Sequence, residues 1–309
     1  MIRIYLIGCG GIGGYIAQML PAVCAGAGLM YIQKKGINVT RHLETIGQST
    51  IPSIVDSITL IDGDRFEPRN ALRQGAGAGN KLAQRICDIN NNMIRLTTLR
   101  NISVIGHNKY VTPMNIDKLI PIEKPDKLFQ KVNASKFERE ICNVKSAART
   151  DLNRDSVVIF MGVDNLSTRR DVCLHAEKFP NILLINGGNE TTFGDVTVYE
   201  RRDGITLDPN LTEIFPNVKD PKDKRPDEVH CTDLAPTLDQ TVIINMMIAT
   251  VMMAVFDHWV VNGSLDDFET KTANKTGRRN HFFVNSLQCS MYSMLHKLSR
   301  KETTNESSA

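Results

Sequence analysis

The chain has 309 residues, which is enough for one large domain or two small ones. Hydrophobic residues make up 41% of the sequence and charged residues 23%, as in an average globular protein, so the composition excludes a disordered or fibrous chain. The formal net charge is only +3 and no long basic run occurs, so the sequence indicates neither a nucleic-acid partner nor a membrane partner.

Seven cysteines are scattered along the chain without a Cys-x-x-Cys pair. This spacing argues against a disulfide framework and against a four-thiolate zinc site, so we expect a cytoplasmic protein without zinc. The N-terminal apolar run is too short for the core of a signal peptide. The most apolar late segment, residues 246–256, is shorter than a membrane span and is interpreted as a buried helix.

The first predicted element is a buried strand over residues 2–7, rich in β-branched side chains. It continues into a glycine turn at residues 8–14 and then into a helix. A second buried strand is predicted over 57–61, and continuous apolar strands of this kind are typical of a parallel sheet covered on both faces. The stretch 26–54 between them is longer than an ordinary crossover, which predicts an insertion.

The rest of the chain alternates between helices and short apolar strands. Residues 106–155 are charged and broken by prolines, which predicts a second insertion, and the segment 299–309 is expected to be a disordered tail. The order of elements predicts a single α/β domain over 1–298, with a doubly wound, mostly parallel, Rossmann-like sheet and a C-terminal helical and strand extension. The other predicted elements are helices over 80–90, 167–178 and 239–261, strands over 96–104, 156–163, 181–186, 195–199 and 281–289, and a loop over 206–228.

The glycine turn has the pattern Gly8-x-Gly10-Gly11-x-Gly13. Backbone without Cβ atoms can approach a phosphate closely, and the following helix N-terminus supplies N–H groups and a positive dipole end. The pattern also fits a strand-to-helix turn without a ligand, and it fits a dinucleotide site. A dinucleotide site needs an acidic residue about 20 residues further on, whereas the next acid after a strand is Asp62.

A longer series of motifs separates these alternatives. The sequence continues with Asp62-Gly63-Asp64, Asn70-Ala71-Leu72-Arg73-Gln74 and Lys81, and later with Asp164-Asn165 ahead of Arg169-Arg170. In this combination and order it resembles the ThiF/HesA/MoeB superfamily, ATP-dependent enzymes that adenylylate the C-terminal carboxylates of ubiquitin-like proteins. The matching blocks, residues 1–20, 56–92 and 156–200, cover about a third of the chain.

The resemblance implies a role for each matching residue. The phosphates would lie over the glycine turn, Asp62 would bind the ribose hydroxyls, and Asp164 would hold Mg²⁺. This agrees with the chemistry, because a carboxylate attacking the α-phosphate of ATP needs its charge offset by Mg²⁺, Arg and Lys. The implied nucleotide-binding residues are Gly8, Gly10, Gly11, Gly13, Asp62, Asp64, Asn70, Arg73, Gln74 and Lys81, and the implied catalytic residues are Arg73, Lys81, Asp164 and Cys231.

Some of these residues are also compatible with an ordinary structural role. Arg73 and Lys81 are compatible with solvated surface charges, and Asp64 with a simple turn. Cys231 precedes the long apolar helix, where some superfamily members place a thioester-forming cysteine, and a loop cysteine without a function is equally compatible. Superfamily members often supply an arginine from an N-terminal helix, but Arg3 lies inside the first predicted strand, so we expect that element to be missing.

These observations predict an enzyme that uses ATP and Mg²⁺ to adenylylate a carboxylate and releases pyrophosphate. The implied acceptor is the C-terminus of a small ubiquitin-like or sulfur-carrier protein, or of a peptide, and a homodimer is compatible with the family. One alternative is an NAD(P)-dependent oxidoreductase, which leaves Asn70, Arg73 and Lys81 without a role. Another is a non-catalytic pseudoenzyme subunit of an activating complex, which the missing arginine favours and which Arg73, Lys81 and Asp164 disfavour.

Overall fold

The structure, a computed structural model, describes residues 2–34, 55–64, 102–122, 156–228, 241–265 and 280–294. Its strands are β1 (Ile2–Ile7), β2 (Val55–Ile61), β3 (Ser103–His107), β4 (Ser156–Met161), β5 (Ile182–Asn189), β6 (Phe193–Arg202), β7 (Ile205–Thr206), β8 (His281–Asn285) and β9 (Ser290–Met294). Within these residues they form one sheet in the order β3-β2-β1-β4-β5-β6-β8-β9, with β7 beside β6. Neighbours among β1 to β5 are parallel, and all pairs that involve β6 to β9 are antiparallel.

Helices cover both faces of this sheet. They are α1 (Gly11–Lys34), α2 (Ile116–Leu119), α3 (Leu166–Ala176), α4 (Leu211–Ile214), α5 (Pro216–Lys219) and α6 (Val242–Asn262), with a 3-10 turn at Pro226–Glu228. One core joins the sheet to α1 and α6. The second core joins the opposite face to α2, α3, α4 and α5. The predicted α/β fold with a mostly parallel sheet is therefore confirmed.

The alternation of side chains along β1 shows why every residue in it except Arg3 is hydrophobic. Ile4 and Leu6 lie in the core under α1 and α6, and Tyr5 and Ile7 lie in the core under α2 and α3. A strand buried on both faces has no solvent side on which a polar residue would be favoured. The apolar runs of β1 and β4, in which every residue is buried, follow from this position.

The long helix α6 belongs to the core of the protein. By length and composition it could cross a membrane, with a mean hydropathy of 1.6, and about half of this apolar window is buried. Ile248, Met252 and Phe256 pack in the first core, as expected for the interpretation as a buried helix. Thr241 caps its start by accepting a hydrogen bond from the N–H of Ile244, and Gly263 ends it with a φ of +76°.

Several boundaries differ from those predicted. α1 continues to Lys34, so residues 26–34 of the first predicted insertion prolong this helix. The strand predicted over 96–104 overlaps β3, which continues to His107 beyond the predicted end, whereas residues 96–101 lie outside the described residues. The predicted loop over 206–228 contains α4, α5 and the 3-10 turn.

The second predicted insertion, 106–155, begins inside the described fold. Its first part contains the end of β3 and the whole of α2, whose Ile116 and Leu119 are buried in the second core. Residues 123–155 lie outside the described residues, as do the helix predicted over 80–90 and the tail over 299–309. The single-domain boundary at residue 298 stays a prediction.

Candidate active site

The register of the sheet brings three loops together at the carboxyl ends of the parallel strands. Ile7 lies opposite both Ile61 and Met161. The N–H of Gly8 donates to the carbonyl oxygen of Ile61, and the N–H of Gly162 donates to that of Ile7, each at 2.9 Å. The strand order reverses around β1, and open α/β sheets bind ligands at such a reversal. A cleft of about 390 Å³ lies there.

Two glycines of the turn have no room for a side chain. Gly8 has a φ of +82°, a conformation that L side chains rarely adopt. A Cβ on Gly13 would lie 1.8 Å from the carbonyl oxygen of Gly8. Gly10 and Gly11 line the cleft, and α1 begins at Gly11, so the turn presents a helix N-terminus to the cleft.

Asp62 connects the end of β2 to the glycine turn. It is buried, and its carboxylate accepts hydrogen bonds from the N–H of Cys9 at 2.6 Å and of Asp64 at 2.8 Å. Burial raises the pKa of Asp62 to about 6, and the charges of Asp64 and Asp164 contribute to the rise, while the two N–H donors oppose it. Asp62 also lines the cleft, and its predicted contact with ribose stays a prediction.

Tyr110 and Lys109 line the cleft and were missed by the sequence reasoning. The hydroxyl of Tyr110 donates to the carboxylate of Asp64, and its ring packs so closely on Gly63 that a Cβ there would lie 2.6 Å from the ring. Burial, followed by the hydrogen bond to Asp64, raises the pKa of Tyr110. Asp64 is thus held by a neighbouring side chain and is more than a simple turn residue. No motif marks Tyr110, because it follows an edge strand within a stretch without clear periodicity.

Asp164 lines the cleft just after β4. It is exposed and has no hydrogen bond or ion pair with another residue in the described part of the chain. Among the described residues, no group of three or more His, Cys, Asp or Glu side chains could hold a metal ion.

The arginines named in the sequence have different positions. Arg169 donates to the carbonyl oxygen of Val163 at 2.8 and 3.0 Å and to that of Gly187 at 3.3 Å, so it joins the ends of β4 and β5. Its burial lowers the pKa of the guanidinium. Arg170 pairs with Asp171 at 3.2 Å on the outside of α3. Arg3 lies at the opposite end of β1, where it donates to the carbonyl oxygen of Pro121 at 2.8 Å.

A short segment, residues 220–228, crosses the start of α3 and is called the strap. The carboxylate of Asp223 accepts from the N–H and hydroxyl of Ser167, at 3.0 and 2.8 Å. Arg225 pairs with Asp171 at 2.8 Å, and Pro226 lines the cleft. The strap therefore fixes one rim of the cleft.

The remaining predicted site residues lie outside the described residues. They are Asn70, Arg73, Gln74, Lys81 and Cys231. The structure describes seven of the predicted residues, namely Gly8, Gly10, Gly11, Gly13, Asp62, Asp64 and Asp164, and gathers them at one edge of the sheet. The proposed contacts of every predicted residue with ATP stay predictions.

No family model matches this sequence, and a search of curated proteins finds no match. Solved structures do match. E. coli MccB with ATP has a TM-score of 0.53 and 13% identity over 97% of this chain and 65% of that chain. PaaA has a TM-score of 0.52 and 12% identity over 96% of this chain and 64% of that chain.

The chain thus spans about two thirds of the length of these proteins. At such low identity the match establishes the fold alone. This shared fold is compatible with the resemblance that the motifs carry. The chain has the α/β fold of MccB and PaaA, with the cleft at the reversal of strand order.

Proposed function

We propose that the protein is an ATP-dependent adenylyltransferase that activates the C-terminal carboxylate of a peptide or of a small ubiquitin-like or sulfur-carrier protein. The observation that carries this proposal is the position of Asp164. It is an exposed carboxylate without a hydrogen-bond or ion-pair partner among the described residues, in the same cleft as the glycine turn. A carboxylate in a phosphate-binding cleft is favourable only when a cation lies between them.

The residues of the cleft fit ATP with Mg²⁺. The glycine turn and the start of α1 offer close approach and N–H groups to phosphates, and Asp62 lies where a ribose hydroxyl could donate to it. Among the described residues, four carboxylates line this cleft, those of Asp62, Asp64, Asp164 and Glu190. Bound Mg²⁺ would supply the positive charge that offsets both these groups and the phosphates. The chain's own contribution would be to hold the nucleotide and to orient the acceptor carboxylate beside it.

The solved structures of similar fold support this choice of reaction. MccB has been solved with ATP, and with AMPCPP together with MccA. It has also been solved with N-formylated MccA. A peptide is therefore the acceptor we favour for this chain. A cytoplasmic location and a homodimer belong to the same proposal, and the free thiols of Cys9, Cys24 and Cys173 are compatible with a reducing compartment.

A dinucleotide-dependent oxidoreductase is the second candidate, because Asp62 follows β2 beside the glycine turn, where an acid that binds ribose is needed. This alternative gives Asp64 and Asp164 no role, although both carboxylates would repel a pyrophosphate in the absence of a cation. A pseudoenzyme would likewise have no need of an exposed Asp164 in the cleft. The charges of the cleft thus favour ATP with Mg²⁺.

The proposal is tested by exchange of radiolabelled pyrophosphate into ATP in the presence of acceptor. The acceptors are a panel of synthetic pentapeptides with free carboxylates and a ubiquitin-like protein that ends in Gly-Gly. We expect the wild type to catalyse exchange, and Asp164→Asn, which keeps the size and removes the charge, to lose about 100-fold or more. Asp203→Asn, in the β6–β7 turn, is the matched control and should exchange normally. Normal exchange by Asp164→Asn would remove Asp164 from the reaction.

A further inference from the structure

A second cavity, of about 450 Å³, opens beside the nucleotide cleft. The two share four lining residues, namely Asp164, Arg169, Asn189 and Glu190. A group bound in the cleft at Asp164 is thus adjacent to whatever occupies the second cavity. The remaining walls of the second cavity come from β5, β6, β8 and the α4–α5 turn.

The floor of the second cavity contains an acceptor atom without a donor. Asn186 is only 2% exposed, and its side-chain N–H donates to the hydroxyl of Thr197 at 3.2 Å. Its Oδ1 atom is buried and has no hydrogen-bond partner among the described residues. Leaving a buried acceptor unsatisfied costs free energy, so the site is suited to a ligand that brings an N–H group.

The carboxylate of Asp195 is a second polar group of this cavity. Oδ2 of Asp195 lies 2.9 Å from Nε2 of His281, and its Oδ1 faces Gly188. A Cβ on Gly188 would lie 3.0 Å from that oxygen and 3.1 Å from Nη1 of Arg169. A side chain at position 188 would therefore crowd both charged groups, whereas glycine leaves them room. Glycine at position 188 keeps the polar floor open.

Aromatic rings form another wall. Phe215 packs edge-on against His281 with ring centres 5.5 Å apart, and His281 lies 4.1 Å from Phe283. Phe215 and Phe283 both line the cavity, and Phe283 is also stacked on Tyr292 with ring centres 4.8 Å apart. The faces of aromatic rings attract cations, and more strongly where water is excluded. The wall is therefore suited to the same kind of ligand as the floor.

The charges around the second cavity also favour a cationic ligand. Among the described residues, Asp164, Asp195 and Glu190 line the cavity against a single cation, Arg169, whose charge interacts with that of Asp195. Arg169 already donates from Nε and Nη2 to backbone carbonyl oxygens. Even with Asp164 engaged by Mg²⁺, two carboxylates and the Oδ1 atom of Asn186 remain as acceptors. An acidic side chain would be repelled, and a purely apolar one would leave Asn186 unsatisfied.

We infer that the second cavity binds the last side chain of the acceptor and selects lysine or arginine at that position. The inference rests on the proposed function. The carboxylate that reacts in the cleft belongs to the last residue of the acceptor, so the side chain of that residue would lie in the adjacent second cavity. Its cationic end meets Asp195 and Asn186, and its methylene stem or guanidinium lies on the rings of Phe215 and Phe283. A glycine at the end of the acceptor would fill none of these positions.

The test uses the full chain and pentapeptides that are identical except for the last residue, which is Lys, Arg, Gln, Leu or Gly. Pyrophosphate exchange gives kcat/KM for each peptide. We expect kcat/KM for the Lys and Arg peptides to exceed kcat/KM for the Leu and Gly peptides by about tenfold or more. Asp195→Asn should lose most of this preference while the Leu peptide changes little. A merely structural effect of the substitution would lower kcat/KM for all five peptides together.

Two further variants control for indirect effects of the Asp195→Asn substitution. Asp195→Asn removes the charge beside His281, so the second variant is Phe283→Leu, which keeps both the carboxylate of Asp195 and the imidazole of His281, although its ring packs on His281. It should also reduce the preference for the cationic peptides. Asp203→Asn, beyond the far end of β6, should leave every ratio unchanged. Equal kcat/KM for all peptides, or a preference for Gly or Leu, overturns the inference and leaves the proposed function intact. If neither a peptide nor the Gly-Gly protein supports exchange, both the proposed function and the inference fail.

Discussion

The glycine turn depends on contacts between backbone atoms, which a side chain cannot relieve by rotating. Gly13 faces the carbonyl oxygen of Gly8, where a Cβ would lie 1.8 Å away. We therefore expect Gly13→Ala to lower the free energy of unfolding by more than about 4 kcal/mol, or to prevent folding, as measured by denaturant unfolding.

Gly26 is the control for this prediction. It lies in the same helix, α1, and a Cβ there would have no neighbour within 4 Å. Gly26→Ala should raise the free energy of unfolding by about 0.5–1 kcal/mol, because alanine loses less backbone entropy than glycine in a helix. A Gly13→Ala protein as stable as Gly26→Ala would contradict the packing of the turn.

The buried carboxyl of Asp62 makes stability depend on pH. Its pKa is about 6 in the folded protein and 3.8 ordinarily, so between these values the folded state binds more protons than the unfolded state. The contribution of Asp62 to the free energy of unfolding is therefore complete below pH 3.8 and is lost as the pH rises through 6. The difference between the two pKa values corresponds to about 3 kcal/mol at most.

The comparison with Asp62→Asn removes the contributions of all titrating groups that do not interact with Asp62, so that the effect of Asp62 and its coupling to Asp64 and Asp164 remains. The free energy of unfolding of the wild type minus that of Asp62→Asn should fall between pH 4 and pH 7, as measured by denaturant unfolding. A difference that stays constant or rises over this range would show that Asp62 is ionised as readily as an exposed carboxyl.

At the scale of elements, the strap stabilises the start of α3. The carboxylate of Asp223 accepts hydrogen bonds from the N–H groups of Leu166 and Ser167, which have no partner within the helix. Asp223→Ala should lower the free energy of unfolding by about 1 kcal/mol, as for other helix caps. Asp220→Ala, which removes only an exposed pair with Lys222, should leave the thermal midpoint unchanged. Equal midpoints for both variants would contradict the capping role.

The elements that the sequence predicts well are those buried on both faces. β1, β2 and β4 are short runs rich in apolar residues, and α6 is apolar over most of its length, so their existence and order are visible from the sequence. β3 is less clear, because an edge strand with Gly106 and His107 lacks such a run. α1 was predicted too short, since its glycines and Pro21 are ordinarily helix-breaking residues.

The same contrast holds for the candidate site. Asp62, Asp164 and the glycine turn are predictable, because acids and glycines directly after buried strands must meet at one edge of a parallel sheet. Tyr110 and Asn186 are not, because their positions depend on how β3 and β5 pair with their neighbours. The orphan Oδ1 of Asn186 and the aromatic wall around His281 become visible only in three dimensions.

At the scale of the whole molecule, the described residues place five parallel strand ends, the N-terminus of α1 and four carboxylates around a single cleft. The central claim is that this cleft binds ATP with Mg²⁺ rather than a dinucleotide. The claim depends on charge: without a cation the carboxylates repel phosphate, and with one they help to hold it.

Isothermal titration calorimetry of the full chain with ATP, with and without Mg²⁺, and with NAD tests this claim most directly. We predict saturable binding of ATP in the presence of Mg²⁺, weaker binding when Mg²⁺ is omitted or when Asp164 is replaced by Asn, and no saturable binding of NAD. Saturable binding of NAD together with no binding of ATP in the presence of Mg²⁺ would contradict the claim.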